Sequence, residues 1–154
     1  MRLKFLSIFA AVLLITGCST SDQSGGDGAG DSGTMTAQQE LVSIGDRVFF
    51  DTDSYRLRSD AQATLRQQAP LITTRNLIVT IEGHADERGT REYNLALGDR
   101  RANAVREFLV GLGVSPSQVR TISYGKERPD ALGHNETAWS QNRRGVTVIT
   151  SAGS

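Results

Sequence analysis

The chain is 154 residues long, with 17 basic and 17 acidic side chains, a formal net charge of zero and one cysteine. That balance makes no case for a nucleic-acid partner, whose footprint is a basic surplus. A single cysteine excludes any disulfide within the chain.

Arg2 and Lys4 precede an apolar run over residues 5–15, interrupted only by Ser7, and Thr16-Gly17-Cys18 follows it. This is the layout of a secretory signal peptide. The run is too short for a membrane-spanning helix, which needs roughly 20 residues. Removal of residues 1–17 is expected. Ile15-Thr16-Gly17-Cys18 resembles a bacterial lipobox, with Ile15 in place of the more usual leucine, which implies lipidation of Cys18. Each buried CH₂ of an acyl chain contributes about 0.8 kcal/mol, so several chains give a lasting membrane anchor. Ser19 rather than an aspartate after the cysteine resembles the signal for the outer membrane.

Residues 19–40 are rich in Ser, Gly and Asp, with four acidic and no basic side chains and Met35 as the only large apolar one before Leu41. Such a composition cannot offset its ordering entropy, so residues 18–44 are read as the lipidated cysteine and a flexible tether. The match of Gly28-Ala29-Gly30-Asp31-Ser32-Gly33 to a dinucleotide-binding pattern has no strand before it and no helix after it, and reflects composition. Residues 41–154 hold 15 basic and 13 acidic side chains. Residues 45–154 are long enough for one compact domain with its own core.

Within the domain, residues 46–51, 76–82, 119–124 and 145–150 are rich in β-branched and aromatic side chains and predict four strands. Between the first two, Ser59 with Gln62 fits a capping box, and Ala61, Leu65 and Ala69 recur at helical spacing. Pro70 predicts an end or a kink at Ala69. A longer helix is expected over 91–112, stopped by Gly111 and Gly113. Ser115-Pro116 reads as an N-cap and first-turn proline of a single turn, and a short helix over 137–143 precedes the last strand. The order β-α-β-α-β-(α)-β argues for an α/β sandwich of helices on a sheet.

The long helix separates two adjacent arginines. At 3.6 residues per turn, Leu97, Val105, Phe108 and Leu112 share one arc of about 80° with Asn94, and Arg101 lies in its middle. Arg100 falls on the opposite, solvated side with Asp99, Glu92, Asn103 and Arg106. A desolvated arginine needs an anion. That anion is either Asp86 or Asp51 in an internal ion pair, or a ligand's carboxylate. Asp86 lies just past the second strand, in the loop entering the helix, where ligands of α/β folds favour the carboxyl ends of strands. Asp86, Asn94 and Arg101 can therefore converge. An aspartate that accepts from an ammonium and an arginine that grips a carboxylate would together read a zwitterion.

Phe49-Phe50-Asp51, the run Glu82-Gly83-His84-Ala85-Asp86-Glu87-Arg88-Gly89, Asn94 with Leu97-Gly98 and Arg100-Arg101-Ala102, Ser123-Tyr124-Gly125 and Asn142-Arg143-Arg144 resemble, in order and spacing, the OmpA-like peptidoglycan-binding domain. The resemblance spans residues 45–150. It implies a four-stranded mixed sheet with helices packed on one side. It also implies non-catalytic binding of the meso-diaminopimelate residue of peptidoglycan stem peptides, without a cofactor or metal. By position, Asp86 would meet the ammonium and Arg101 the carboxylate, Asn94 and Leu97 would line the pocket, and Phe50 and Asp51 would contribute largely through backbone. Ala85 stands where many members carry threonine, which removes one side-chain hydrogen bond. The resemblance further implies a lipid-anchored, periplasm-facing protein of the outer membrane, working with the β-propeller protein TolB and other Tol components. It assigns no ligand role to Arg143 or Arg144.

A hydrolase is the rival class, because Glu82, His84, Asp86 and Glu87 cluster. A catalytic zinc takes three protein ligands, often two histidines closely spaced, and His84 has no such neighbour; nor is there a GxSxG elbow. His84 reads instead as a hydrogen-bonded support of the loop.

Overall fold

The computed structural model describes residues 36–152; the signal segment, Cys18 and the tether up to residue 35 lie outside the described residues. Along the chain run α1 (Ala37–Ile44), β1 (Arg47–Phe49), α2 (Ser59–Thr74), β2 (Leu77–His84), α3 (Arg91–Gly111), a single 3-10 turn (Pro116–Gln118), β3 (Val119–Gly125), α4 (Glu136–Asn142) and β4 (Arg144–Ala152). The strands form one sheet in the order β1-β4-β2-β3. β4 lies antiparallel between β1 and β2, and β2 and β3 are parallel. Two parallel strands need a long crossover, and α3 supplies it.

Side chains of β2 alternate, with Leu77, Val79 and Ile81 buried and Ile78, Thr80 and Glu82 half-buried. The buried set meets α2 and α3, which pack on one side of the sheet, so the core sits between sheet and helices and includes Leu65, Ile72, Val105 and Leu109. α3 approaches unusually closely. A methyl group added to Gly83 would collide with the Gly98 carbonyl, and one added to Gly98 would collide with the Ser123 hydroxyl. Backbone therefore rests on backbone at this crossing, which fixes where the first turns of α3 stand over the end of β2.

Four sequence expectations are corrected here. Residues 37–44 are not tether but helix, because they dock rather than stand alone. Thr36 caps α1 through reciprocal bonds with Gln39, Leu41 is buried at 1% exposure, and Glu40 pairs with Arg75 at 2.7 Å. The capping box at Ser59 does not form: Arg58 is the N-cap, with no side-chain cap bond, and Gln62 turns its amide to the Leu57 carbonyl at 3.1 Å. Of the two outcomes expected at Pro70, the ending does not occur: α2 runs through it to Thr74. Burial of Leu71 and Ile72 on the far side outweighs the roughly 3 kcal/mol that an interior proline costs. Finally, Leu112 is the exposed C-cap of α3, and Leu109 takes the core position. Small Gly98 and Ala102 let the buried arc of α3 widen towards Leu109.

Candidate binding site

At the carboxyl end of β2 the Ala85 amide donates to the Gly125 carbonyl at 2.8 Å, so the loop leaves the sheet still attached to β3. Gly89, at a φ of +91°, turns the chain into α3, and the Thr90 hydroxyl accepts from the Tyr93 amide at 3.2 Å as N-cap. Asn94, 2% exposed, donates to the Arg88 carbonyl at 2.8 Å and ties the loop to the first turn of the helix.

Arg101 is completely buried, as the helical wheel requires, but neither of the expected anions pairs with it. Its guanidinium donates to three carbonyls, those of Ser54 (2.8 Å), His84 (2.8 Å) and Asp51 (3.1 Å), and lies over the Phe50 ring at 5.2 Å. Converging carbonyl dipoles from two chain segments replace a counter-ion. Burial pushes the guanidinium down to about 10, opposed by the charge of Asp86. Arg101 therefore remains a cation at neutral pH.

Asp86 is 7% exposed. One carboxylate oxygen accepts from the amide and the Nε of Arg88, both at 3.1 Å. The other accepts from the Arg88 fork at 2.7 Å and from Arg143 at 3.4 Å. Burial alone would push the carboxyl up, but the hydrogen bonds and charge of Arg88, with Arg143 behind them, hold it below the usual aspartate range. Arg143 is itself buried and anchored, donating to the Phe50 carbonyl at 3.1 Å and pairing with Glu136 on α4.

Asp86, Asn94, Leu97 and Arg101 line one cavity of about 300 Å³. Thr52, Asp53, Arg88, Gly89 and Tyr93 complete its wall. Phe50 and Asp51 do not line it. Phe50 lies behind Arg101, and the Asp51 side chain is 68% exposed and faces Arg58 at 3.5 Å, so both brace the site through their carbonyls. A larger cleft of about 640 Å³ lies beside it, between the 53–57 loop and α3. The charged side chains there, Asp53, Arg56 and Glu107, are exposed, so that cleft has no desolvated charge with which to select an ion.

Arg88, Tyr93 and Asp53 escaped sequence reasoning. Arg88 was legible only as a neighbour of Asp86 two residues on. Asp53, at a φ of +52°, accepts from the Tyr93 hydroxyl, a contact between residues far apart in the chain. His84 corrects its expected role: it is 1% exposed and neither ring nitrogen has a hydrogen-bond partner, although the Glu82 carboxylate stands 3.5 Å from Nε2. Its ring faces Tyr124 at 5.5 Å. Burial first, then the charges of Arg144 and Arg128, push it down to about 4. Among the described residues no group of three or more His, Cys, Asp and Glu side chains could hold a metal ion.

A four-stranded mixed sheet with helices on one face defines the class of fold. The model of the OmpA family matches residues 49–143, and the chain belongs to that family. Within it, the chain is similar to the peptidoglycan-associated lipoproteins of Mesorhizobium japonicum, at 52% identity over 94% of this chain and 90% of that one, and of Rhizobium meliloti, at 54% over 92% and 85%. Among solved structures, the peptidoglycan-associated lipoprotein of Burkholderia pseudomallei superposes with a TM-score of 0.67 at 48% identity, covering 68% of this chain and 90% of that one. The C-terminal domain of Helicobacter pylori MotB, at 22% identity and a TM-score of 0.64 over 69% of this chain and 84% of that one, shares the fold.

Proposed function

We propose that this chain is a non-catalytic outer-membrane lipoprotein whose periplasmic domain holds peptidoglycan non-covalently through meso-diaminopimelate. Cys18 carries the lipid anchor, so the protein tethers membrane to wall. TolB and other Tol components are its partners in envelope integrity and cell division. The observation that carries the reading is the convergence of Asp86, Asn94, Leu97 and Arg101 on one cavity of about 300 Å³. The end of a diaminopimelate side chain bears an ammonium and a carboxylate on one carbon. Asp86 accepts from the ammonium, and the positive field of buried Arg101 faces the carboxylate. The names of the curated relatives support the same reading.

Cosedimentation with purified sacculi tests it. Asp86→Asn keeps the shape of the side chain and removes its charge, and it is expected to abolish pelleting while the far-UV spectrum is unchanged. Arg100→Ala, on the exposed face of α3, is expected to pellet like wild type. Undiminished pelleting of Asp86→Asn would overturn the site assignment. Arg101→Ala is the poorer probe, because it would strand three carbonyl partners.

A further inference from the structure

The carboxylate expected to receive the ligand's ammonium is already occupied. Arg88 contacts both oxygens of Asp86, at 3.1 and 2.7 Å. The second guanidinium on that carboxylate, Arg143, is fixed by the Phe50 carbonyl and by Glu136 and its side chain is only 7% exposed. Arg88 is different. Its side chain is 39% exposed, it lies on the loop just before Gly89, and its guanidinium rests on the face of Trp139 at 4.1 Å. Such a stack can hold the cation once its carboxylate partner is gone.

On the basis of the zwitterion-binding reading above, we propose that Arg88 is a specificity-determining residue that exchanges partners on binding: it yields Asp86 to the ligand's ammonium and takes the ligand's carboxylate in its own fork. The charge balance requires a partner for the displaced arginine. A ligand with only an ammonium would displace Arg88 from its ion pair with Asp86 and leave that guanidinium only the longer-range charges of Glu136 and Glu87, so one ion pair replaces one. A zwitterionic ligand replaces one ion pair with two. Arg101 cannot perform the exchange, because it is 0% exposed and three of its donors are committed to carbonyls; it supplies a fixed positive field instead. Arg88 thus penalises simple ammonium ligands and rewards those carrying a carboxylate beside the ammonium.

Titration calorimetry of the full-length chain in detergent tests this, using two stem tripeptides that differ only in meso-diaminopimelate or L-lysine at the third position. Wild type is expected to prefer the diaminopimelate peptide by about tenfold or more, the scale of a charge-assisted hydrogen bond. In Arg88→Ala the diaminopimelate peptide is expected to weaken and the lysine peptide to tighten, so that the preference collapses by about tenfold. Arg88→Lys keeps a cation without the planar fork and is expected to give an intermediate preference. A ratio in Arg88→Ala within about twofold of wild type, whatever the separate affinities, overturns the exchange and leaves the binding reading standing. Failure of wild type to bind either peptide overturns the binding reading, and the exchange with it.

Discussion

Asp86 and Arg101 share a cavity without pairing, and each is held charged by other groups: Asp86 by two arginines, Arg101 by three carbonyls. A site built this way keeps both charges when empty, and a zwitterion can add to it without breaking a direct pair between them. The neighbouring His84 makes a separate contribution to stability. Its ring is kept neutral, at about 4 against the ordinary 6.5. The unfolded chain therefore binds more protons between those values, and stability falls as the pH drops from about 6.5 towards 4, by about 3 kcal/mol in all. Asp86, held below its usual range, adds stability that is present above its unfolded value and lost at still lower pH. Urea melts at pH 7 and pH 4.5 are expected to show the loss in wild type and a smaller one in His84→Gln; an equal loss in the two proteins would contradict this role for His84. The burial of Arg101 and exposure of Arg100 were legible in the spacing of α3. The partners of Arg101 were not, because carbonyls carry no sequence signature.

At the scale of elements, the crossing of α3 over β2 rests on the absence of side chains at Gly83 and Gly98. Gly98→Ala forces backbone apart, and a loss of about 1–3 kcal/mol in a denaturant melt is expected. Because Asn94 and Arg101 flank Gly98 on the same helix face, sacculus binding should weaken with it. α1 offers a second test. Leu41→Ala is expected to cost about 2–5 kcal/mol, whereas a residue of an unstructured tether would cost nothing measurable. The strands and the long helix were legible from β-branched runs and helical spacing. α1 was legible only in the capping-box signature of Thr36 and Gln39, because its docking rests on long-range contacts: buried Leu41 with Ala37 and Ile44 against the core, and the pair of Glu40 with Arg75. The helix persists past Pro70 for the same kind of reason, since packing decides where local propensity is unfavourable.

At the scale of the molecule, the strand order could not be read from the sequence, yet it decides where the site lies. Placing β4 between β1 and β2 brings Arg143, just before β4, within reach of Asp86, just past the end of β2. The same order sets the segment after β1 against the first turns of α3, where Thr52 and Asp53 close the cavity. A pocket for one head group thus draws on segments from across the domain. On the function proposed above, this pocket takes the diaminopimelate end of a stem peptide. The most direct test is an NMR titration of the protein with a soluble meso-diaminopimelate tripeptide. Saturable shifts are expected at the amides of Asp86, Arg88, Asn94, Leu97 and Arg101, and their loss in Asp86→Asn. Saturable shifts confined to another face of the domain, or unchanged in Asp86→Asn, would contradict it.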